Sequence, residues 1–101
     1  MQLKSKKRGD TLFIKIIGAI DTLAAENLRF ELREILLQNP QKVVLDLKKV
    51  PTMGSLGIGK ILMFFKSLDS SKASFEIKGI HENLYPFFKS VKLDKLFPIS
   101  Q

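Results

Sequence analysis

One segment of the chain places a hydroxyl side chain and glycines shortly after an apolar strand. The run Val43-Val44-Leu45 is continuously apolar, Asp46 follows it, and Ser55 and Gly57 stand at the predicted start of a helix. A helix start offers unpaired N–H groups and the positive end of the helix dipole. A phosphoryl group on Ser55 would be stabilised there, and its charge of about −2 could control the docking of a partner.

The same segment also has a purely structural interpretation. Ser55 can act as the N-cap of the helix, while Gly57 and Gly59 allow close packing of the helix on the sheet. On residue types alone this interpretation is favoured over a phosphorylation site. The stretch from Gly54 to Lys60 also resembles a phosphate-binding loop, but the spacing of its glycines before the Gly-Lys pair does not match that motif.

The sequence otherwise lacks the combinations of residues that form enzyme active sites. His81 is the only histidine, and neither a serine nucleophile motif nor a cluster of metal ligands accompanies it. The absence of cysteine excludes a disulfide framework, a thiolate metal site and a cysteine nucleophile. We therefore predict that the protein is not an enzyme and has no catalytic residue, metal or cofactor.

The first half of the chain predicts two strands and a helix. A turn at Lys7-Arg8-Gly9-Asp10 separates strands over Gln2–Lys6 and Thr11–Ile17, which suits a hairpin. Asp21 or Thr22 can cap a helix that ends at Asn39-Pro40.

The second half alternates strands with helices. Val43–Leu47 is predicted as a central strand covered on both faces, and Lys48–Gly54 as a loop. A helix is expected from Ser55, with an apolar face formed by Ile58, Ile61, Leu62, Phe65 and Leu68. Further elements are expected as a strand over Ala73–Lys78 ended by Gly79, a short helix within His81–Lys89 and a strand over Leu96–Ile99. The order β-β-α-β-α-β-α-β predicts an α/β fold, with a mixed sheet of four or five strands and helices mainly on one face.

Length and charge restrict the functional class. A chain of 101 residues predicts a single domain over residues 1–101. No apolar run approaches the roughly 20 residues needed to cross a bilayer, so we expect a cytoplasmic protein without membrane insertion. The net charge of +7 could attract nucleic acid. Most phenylalanines fall at core-like positions, however, so direct nucleic-acid binding is not expected.

Three short segments resemble the signature of the STAS domain, which sulphate transporters and anti-sigma factor antagonists share. Val43-Val44-Leu45-Asp46-Leu47 is similar to the family's strand ending in Asp-Leu, and Gly54-Ser55-Leu56-Gly57-Ile58 stands where the family has Asp-Ser-Ser-Gly-Leu. Gly18-Ala19-Ile20-Asp21 is similar to the family's Gly-x-Leu-Asp. The resemblance extends from Gln2 to Ile99 and implies a STAS-like fold.

The resemblance also implies a function in signalling and transcription regulation. Anti-sigma factor antagonists bind a kinase-like anti-sigma factor, which phosphorylates the second serine of Asp-Ser-Ser-Gly. Leu56 stands at that position here and has no hydroxyl, while Ser55 matches the first serine and is the phosphorylation candidate. The implied partner-binding residues surround the start of the second helix: Asp21, Thr22, Met53, Gly54, Ser55, Leu56 and Ile58.

Two kinds of protein partner remain open from the sequence. One is an anti-sigma factor or a related regulatory ATPase. The alternative is that the chain is a STAS-type accessory subunit of a membrane transporter and docks on its ATPase. A homodimer is also open.

Overall fold

The computed structural model describes all residues from Met1 to Gln101. The elements follow one another as β1 (Gln2–Arg8), β2 (Thr11–Ile17), α1 (Thr22–Leu36), β3 (Lys42–Lys49), α2 (Ser55–Ser70), β4 (Ser74–Ile80), α3 (Tyr85–Ser90), a 3-10 turn (Leu93–Lys95) and β5 (Ile99–Ser100). The predicted element order is therefore confirmed. None of the helices is both long enough and apolar enough to span a membrane.

The five strands form one mixed sheet in the order β1-β2-β3-β4-β5. The hairpin pair β1–β2 is antiparallel, and the remaining pairs are parallel. Strand β3 lies in the middle of the sheet, as its apolar sequence predicts. The carboxyl ends of the parallel strands β2, β3 and β4 consequently meet at one edge.

The helices cover one face of the sheet. Val43, Leu45 and Leu47 of β3 join the apolar core with the buried faces of α1 and α2, whereas Val44 lies outside that core. The prediction of helices mainly on one face is therefore confirmed, whereas the expectation that β3 is covered on both faces is wrong, because no helix packs on the face that carries Val44. Connections between parallel strands are right-handed. Because β2, β3 and β4 are neighbours in chain order, both crossover helices lie on the same side.

A bulge near the carboxyl end of β3 extends this strand beyond its predicted end. Lys15 pairs with Asp46, but Ile17 pairs with Lys49, so β3 contains an additional residue. The Asp46 carboxylate accepts the backbone N–H of Lys48 at 2.9 Å. The predicted loop from Lys48 is therefore wrong at its first two residues, because the bulge keeps them in the strand.

The last third of the chain differs most from the prediction. Strand β4 continues through Gly79 to Ile80. Helix α3 begins at Tyr85, because the preceding residues form a turn in which His81 Nδ1 accepts the N–H of Asn83 at 3.0 Å. The final strand contains only Ile99–Ser100, since Leu93–Lys95 forms the 3-10 turn.

The buried face of α2 is rotated slightly from the predicted one. Gly57, Ile61, Phe64 and Leu68 are buried, whereas the predicted Ile58, Leu62 and Phe65 are only partly buried. The Phe64 ring meets that of Phe75 on β4 edge to face, with centroids 5.9 Å apart. Phe64 therefore belongs to the buried face of α2, which apolar spacing alone did not predict.

Candidate functional site

Backbone hydrogen bonds join the loops that follow β2 and β3. The N–H of Ile20 donates to the carbonyl of Thr52, and the N–H of Gly54 donates to the carbonyl of Ile20, each at 3.0 Å. Ile20 and Met53 form an isolated parallel bridge. The structure thus brings the Asp21–Thr22 turn beside Met53 and Gly54, although these segments are far apart in sequence.

The start of α2 is capped by Gly54. Its extended backbone (φ −79°, ψ 170°) turns the chain into the helix, and its carbonyl accepts the N–H of Ile58 at 3.2 Å. Ser55 is the first helical residue, so the interpretation of Ser55 as the N-cap is wrong. The side chain of Ser55 is exposed, and the cap makes no side-chain hydrogen bond.

The apolar residues at this helix start differ in exposure. Leu56 is 49% exposed, so its side chain is not part of the monomer core. Met53 and Ile58 are partly buried and pack against the core. Leu56 is therefore the apolar side chain here that a partner could cover most completely.

Asp21 fixes the neighbouring start of α1. Its carboxylate accepts the backbone N–H of Ala24 at 2.8 Å, which makes it the N-cap. Thr22, the other predicted capping residue, is the first residue of α1 and is exposed. Asp21 thus holds the turn that lies beside Gly54 and keeps its charge at the surface.

Gly57 permits the close approach of α2 to both loops. A Cβ atom at this position would lie 2.8 Å from Ile20 Cγ2 and 2.8 Å from Met53 Cγ. Gly59, two residues further along the helix, has nothing within 4 Å of such an atom. The expectation of close packing therefore holds for Gly57 and is wrong for Gly59.

This difference between the glycines leads to a stability prediction. We expect Gly57→Ala to lower the free energy of unfolding by about 1–2 kcal/mol, because overpacking costs about 1–3 kcal/mol and the better helix propensity of Ala offsets only part of it. Gly59→Ala should instead raise it by about 0.5–1 kcal/mol. Urea unfolding of both variants measures these changes. An equal change in the free energy of unfolding for the two variants would show that a methyl group at position 57 is accommodated without overpacking.

The model of one protein family, the STAS domain, matches residues 2–101. The chain belongs to the STAS domain family.

Several solved structures share this STAS fold. An anti-sigma factor antagonist from Mycobacterium paratuberculosis aligns with a TM-score of 0.87 and 20% identity, over 97% of this chain and 83% of that one. A putative anti-sigma factor antagonist from Thermotoga maritima aligns with a TM-score of 0.91 and 20% identity, over 98% and 86% of the two chains. Unphosphorylated SpoIIAA, also an anti-sigma factor antagonist, aligns with a TM-score of 0.76 and 17% identity, over 99% and 88%. The chain therefore shares its fold with these anti-sigma factor antagonists.

The sequence did not predict three further residues of this STAS domain: two exposed apolar side chains and one asparagine that links two loops. Leu23 follows the Asp21–Thr22 turn and is 74% exposed, while Met63 is 62% exposed. Met63 lies seven residues after Leu56 and hence on the same face of α2. Asn83 ties the β4–α3 turn to the α2 loop by donating to the carbonyl of Pro51 at 3.3 Å. The seven-residue spacing between Leu56 and Met63 was the only sequence signal for this exposed apolar face. An amphipathic pattern identifies the buried face of a helix and does not indicate a second apolar face.

Proposed function

We propose that this STAS domain is a cytoplasmic, non-enzymatic regulatory module that docks a kinase-like anti-sigma factor or a related regulatory ATPase. The docking surface comprises Asp21, Thr22, Met53, Gly54, Ser55, Leu56 and Ile58. The observation that carries the proposal is the half-exposed Leu56 in the first turn of α2, beside the α1 turn. An apolar side chain at this position has no function in the monomer core and gains from burial under a partner.

The composition of this surface indicates a contact that does not depend on phosphate. Full burial of a leucine side chain is worth about 1.5–3 kcal/mol relative to its exposed state. The position that corresponds to the family's phosphorylated serine is Leu56, so a phosphoryl group cannot form there. We infer that a partner engages this surface constitutively.

The proposal is tested by measuring binding to two ATPases. The purified chain is titrated by calorimetry with the kinase-like anti-sigma factor encoded nearest to it, and separately with the ATPase of the nearest encoded transporter. Saturable binding to the first alone supports the proposal. Binding to the transporter ATPase alone would contradict it and would assign the chain to the transporter instead.

Phosphorylation provides a separate prediction. Incubation with the kinase-like partner and ATP should label the native chain weakly, because position 56 lacks a hydroxyl. Leu56→Ser, which supplies one at the same turn, should raise the labelling, measured by intact-mass spectrometry. Strong labelling of the native chain that disappears in Ser55→Ala would show that the switch has moved by one residue and that docking is regulated.

A further inference from the structure

The sheet face that the helices leave uncovered carries most of the net charge of the molecule. Alternation along β1 to β4 places seven cationic side chains and two carboxylates on this open sheet face: Lys4, Lys6, Arg8, Lys15, Lys42, Lys48 and Lys78, with Asp46 and Glu76. The face therefore accounts for +5 of the net charge of +7. The side chains of neighbouring strands lie only about 5 Å apart, so the positive charge is dense.

Very little of this charge is neutralised within the molecule. The only ion pair on the open sheet face joins Lys42 Nζ to Glu76 Oε1 at 3.8 Å. The carboxylate of Asp46 accepts a backbone N–H instead of pairing with a lysine. Lys4 and Lys15 stand directly opposite each other across β1 and β2. Like charges in this arrangement destabilise a sheet, so the fold carries an unfavourable interaction that an anionic ligand would relieve.

Protection of a sheet edge explains only part of this pattern. Lysines on an edge strand discourage pairing with other chains, which accounts for Lys4 and Lys6 on β1. Lys15, Lys48 and Lys78 lie on the inner strands β2, β3 and β4, where no edge needs protection. Their positive charge requires another explanation.

The lysines surround a shallow groove with an apolar floor. The groove has a volume of about 520 Å³ and is lined by Phe13 and Val44 in addition to the charged residues. Phe13 is 41% exposed and stands between Lys6 and Val44 in the strand register. Such a surface can hold an apolar or aromatic group while the surrounding lysines bind anionic groups.

We propose that the open sheet face binds an acidic protein segment that inserts one apolar or aromatic side chain against Phe13. Charge complementarity and the single apolar contact favour this ligand. A single-stranded nucleic acid needs successive aromatic platforms for its bases, and this groove has only one.

The site is distinct from the α2 docking surface, and the inference goes beyond the proposed function. The helices lie on the other side of the sheet, so both surfaces can be occupied at once. The domain would then connect two protein partners. Failure of one surface to bind leaves the other unaffected, and the two proposals are tested separately.

Fluorescence anisotropy with a defined probe tests the inference. The probe is a labelled synthetic peptide of glutamates with one central phenylalanine, titrated with the full chain at low ionic strength. The variant Lys4→Gln/Lys15→Gln should weaken binding about tenfold, while its free energy of unfolding stays equal or rises because the opposed charges are removed. Phe13→Ala should weaken binding about threefold or more.

The matched control is Lys66→Gln/Lys95→Gln, which removes the same charge from exposed positions outside the sheet. It should bind the probe as the native chain does. An equal loss in this control would overturn the inference by showing a response to net charge alone. Tighter binding of an oligothymidylate, or of phosphatidylserine vesicles, would overturn it in favour of nucleic acid or membrane. No binding of the peptide would also refute it.

Discussion

Leu56→Asp is expected to lower the affinity for the kinase-like partner about 100-fold or more without unfolding the domain. The substitution removes an apolar side chain worth about 1.5–3 kcal/mol when buried and places a charge that a partner would have to desolvate. Leu56 is half-exposed, so the monomer loses little packing. A carboxylate in the first turn also interacts favourably with the helix dipole, by about 0.3–1 kcal/mol. Calorimetric titration and urea unfolding measure the two effects.

Leu96→Asp is the matched control for this substitution. Leu96 is 50% exposed, nearly the same as Leu56, but it lines a groove with Phe65 and Asp69, beyond the first half of α2. The Leu96→Asp variant should bind the partner with the affinity of the native chain. If Leu56→Asp unfolds the domain, position 56 belongs to the core. If the folded variant binds normally, the helix start is not the interface.

Phe88→Ala should produce the largest loss of stability, about 3–5 kcal/mol. The ring lies on the six-residue helix α3 and is fully buried in the core. Truncation of a buried phenylalanine removes its transfer free energy and leaves a cavity. Because small domains have about 5–15 kcal/mol of stability, much of the total should be lost. Thermal and urea unfolding followed by circular dichroism measure it.

The adjacent Phe87 supplies the control, since it is 45% exposed on the same helix. Phe87→Ala should change stability by about 0.5 kcal/mol or less. Similar losses in the two variants would mean that the C-terminal segment does not complete the core. The prediction for Phe88 would then be wrong.

The parts of the fold that the sequence predicted are those with a repeating physical signal. Strand β2 is rich in β-branched residues and buries every second side chain, and α1 repeats Leu28, Leu32 and Ile35 at helical spacing. These patterns arise from burial of one face and therefore survive in a single sequence. The central position of β3 followed from its continuous apolar run.

The errors occur where a single tertiary contact decides the local structure. The bulge held by Asp46 extends β3, and Phe64 of α2 packs edge to face against Phe75 of β4. Capping by Gly54 instead of Ser55 depends on the hydrogen bond to Ile20, which lies in a distant loop. Neither propensity nor periodicity contains this information, since the Phe64–Phe75 and Gly54–Ile20 contacts join separate elements and the bulge depends on the pairing of β3 with β2.

The charge on the open sheet face also could not be located from the sequence. The lysines are spread along the chain, and only the β1–β2–β3–β4 register shows that seven cationic side chains share one surface. Likewise, the motifs indicated the α2 start, but the exposure of Leu56 required the structure.

Hydrogen–deuterium exchange of the chain, alone and saturated with its kinase-like partner, tests the docking surface most directly. Binding should protect the amides of Asp21–Leu23 and of Met53–Ile58, because both segments lie at the surface that the partner covers. Exchange at Lys6–Arg8 of β1 should remain unchanged, since Arg8 pairs with Thr11 at the end of β2 that is remote from the Asp21 turn. Protection confined to β1 and β4, with no change at the start of α2, would contradict the proposed mode of docking.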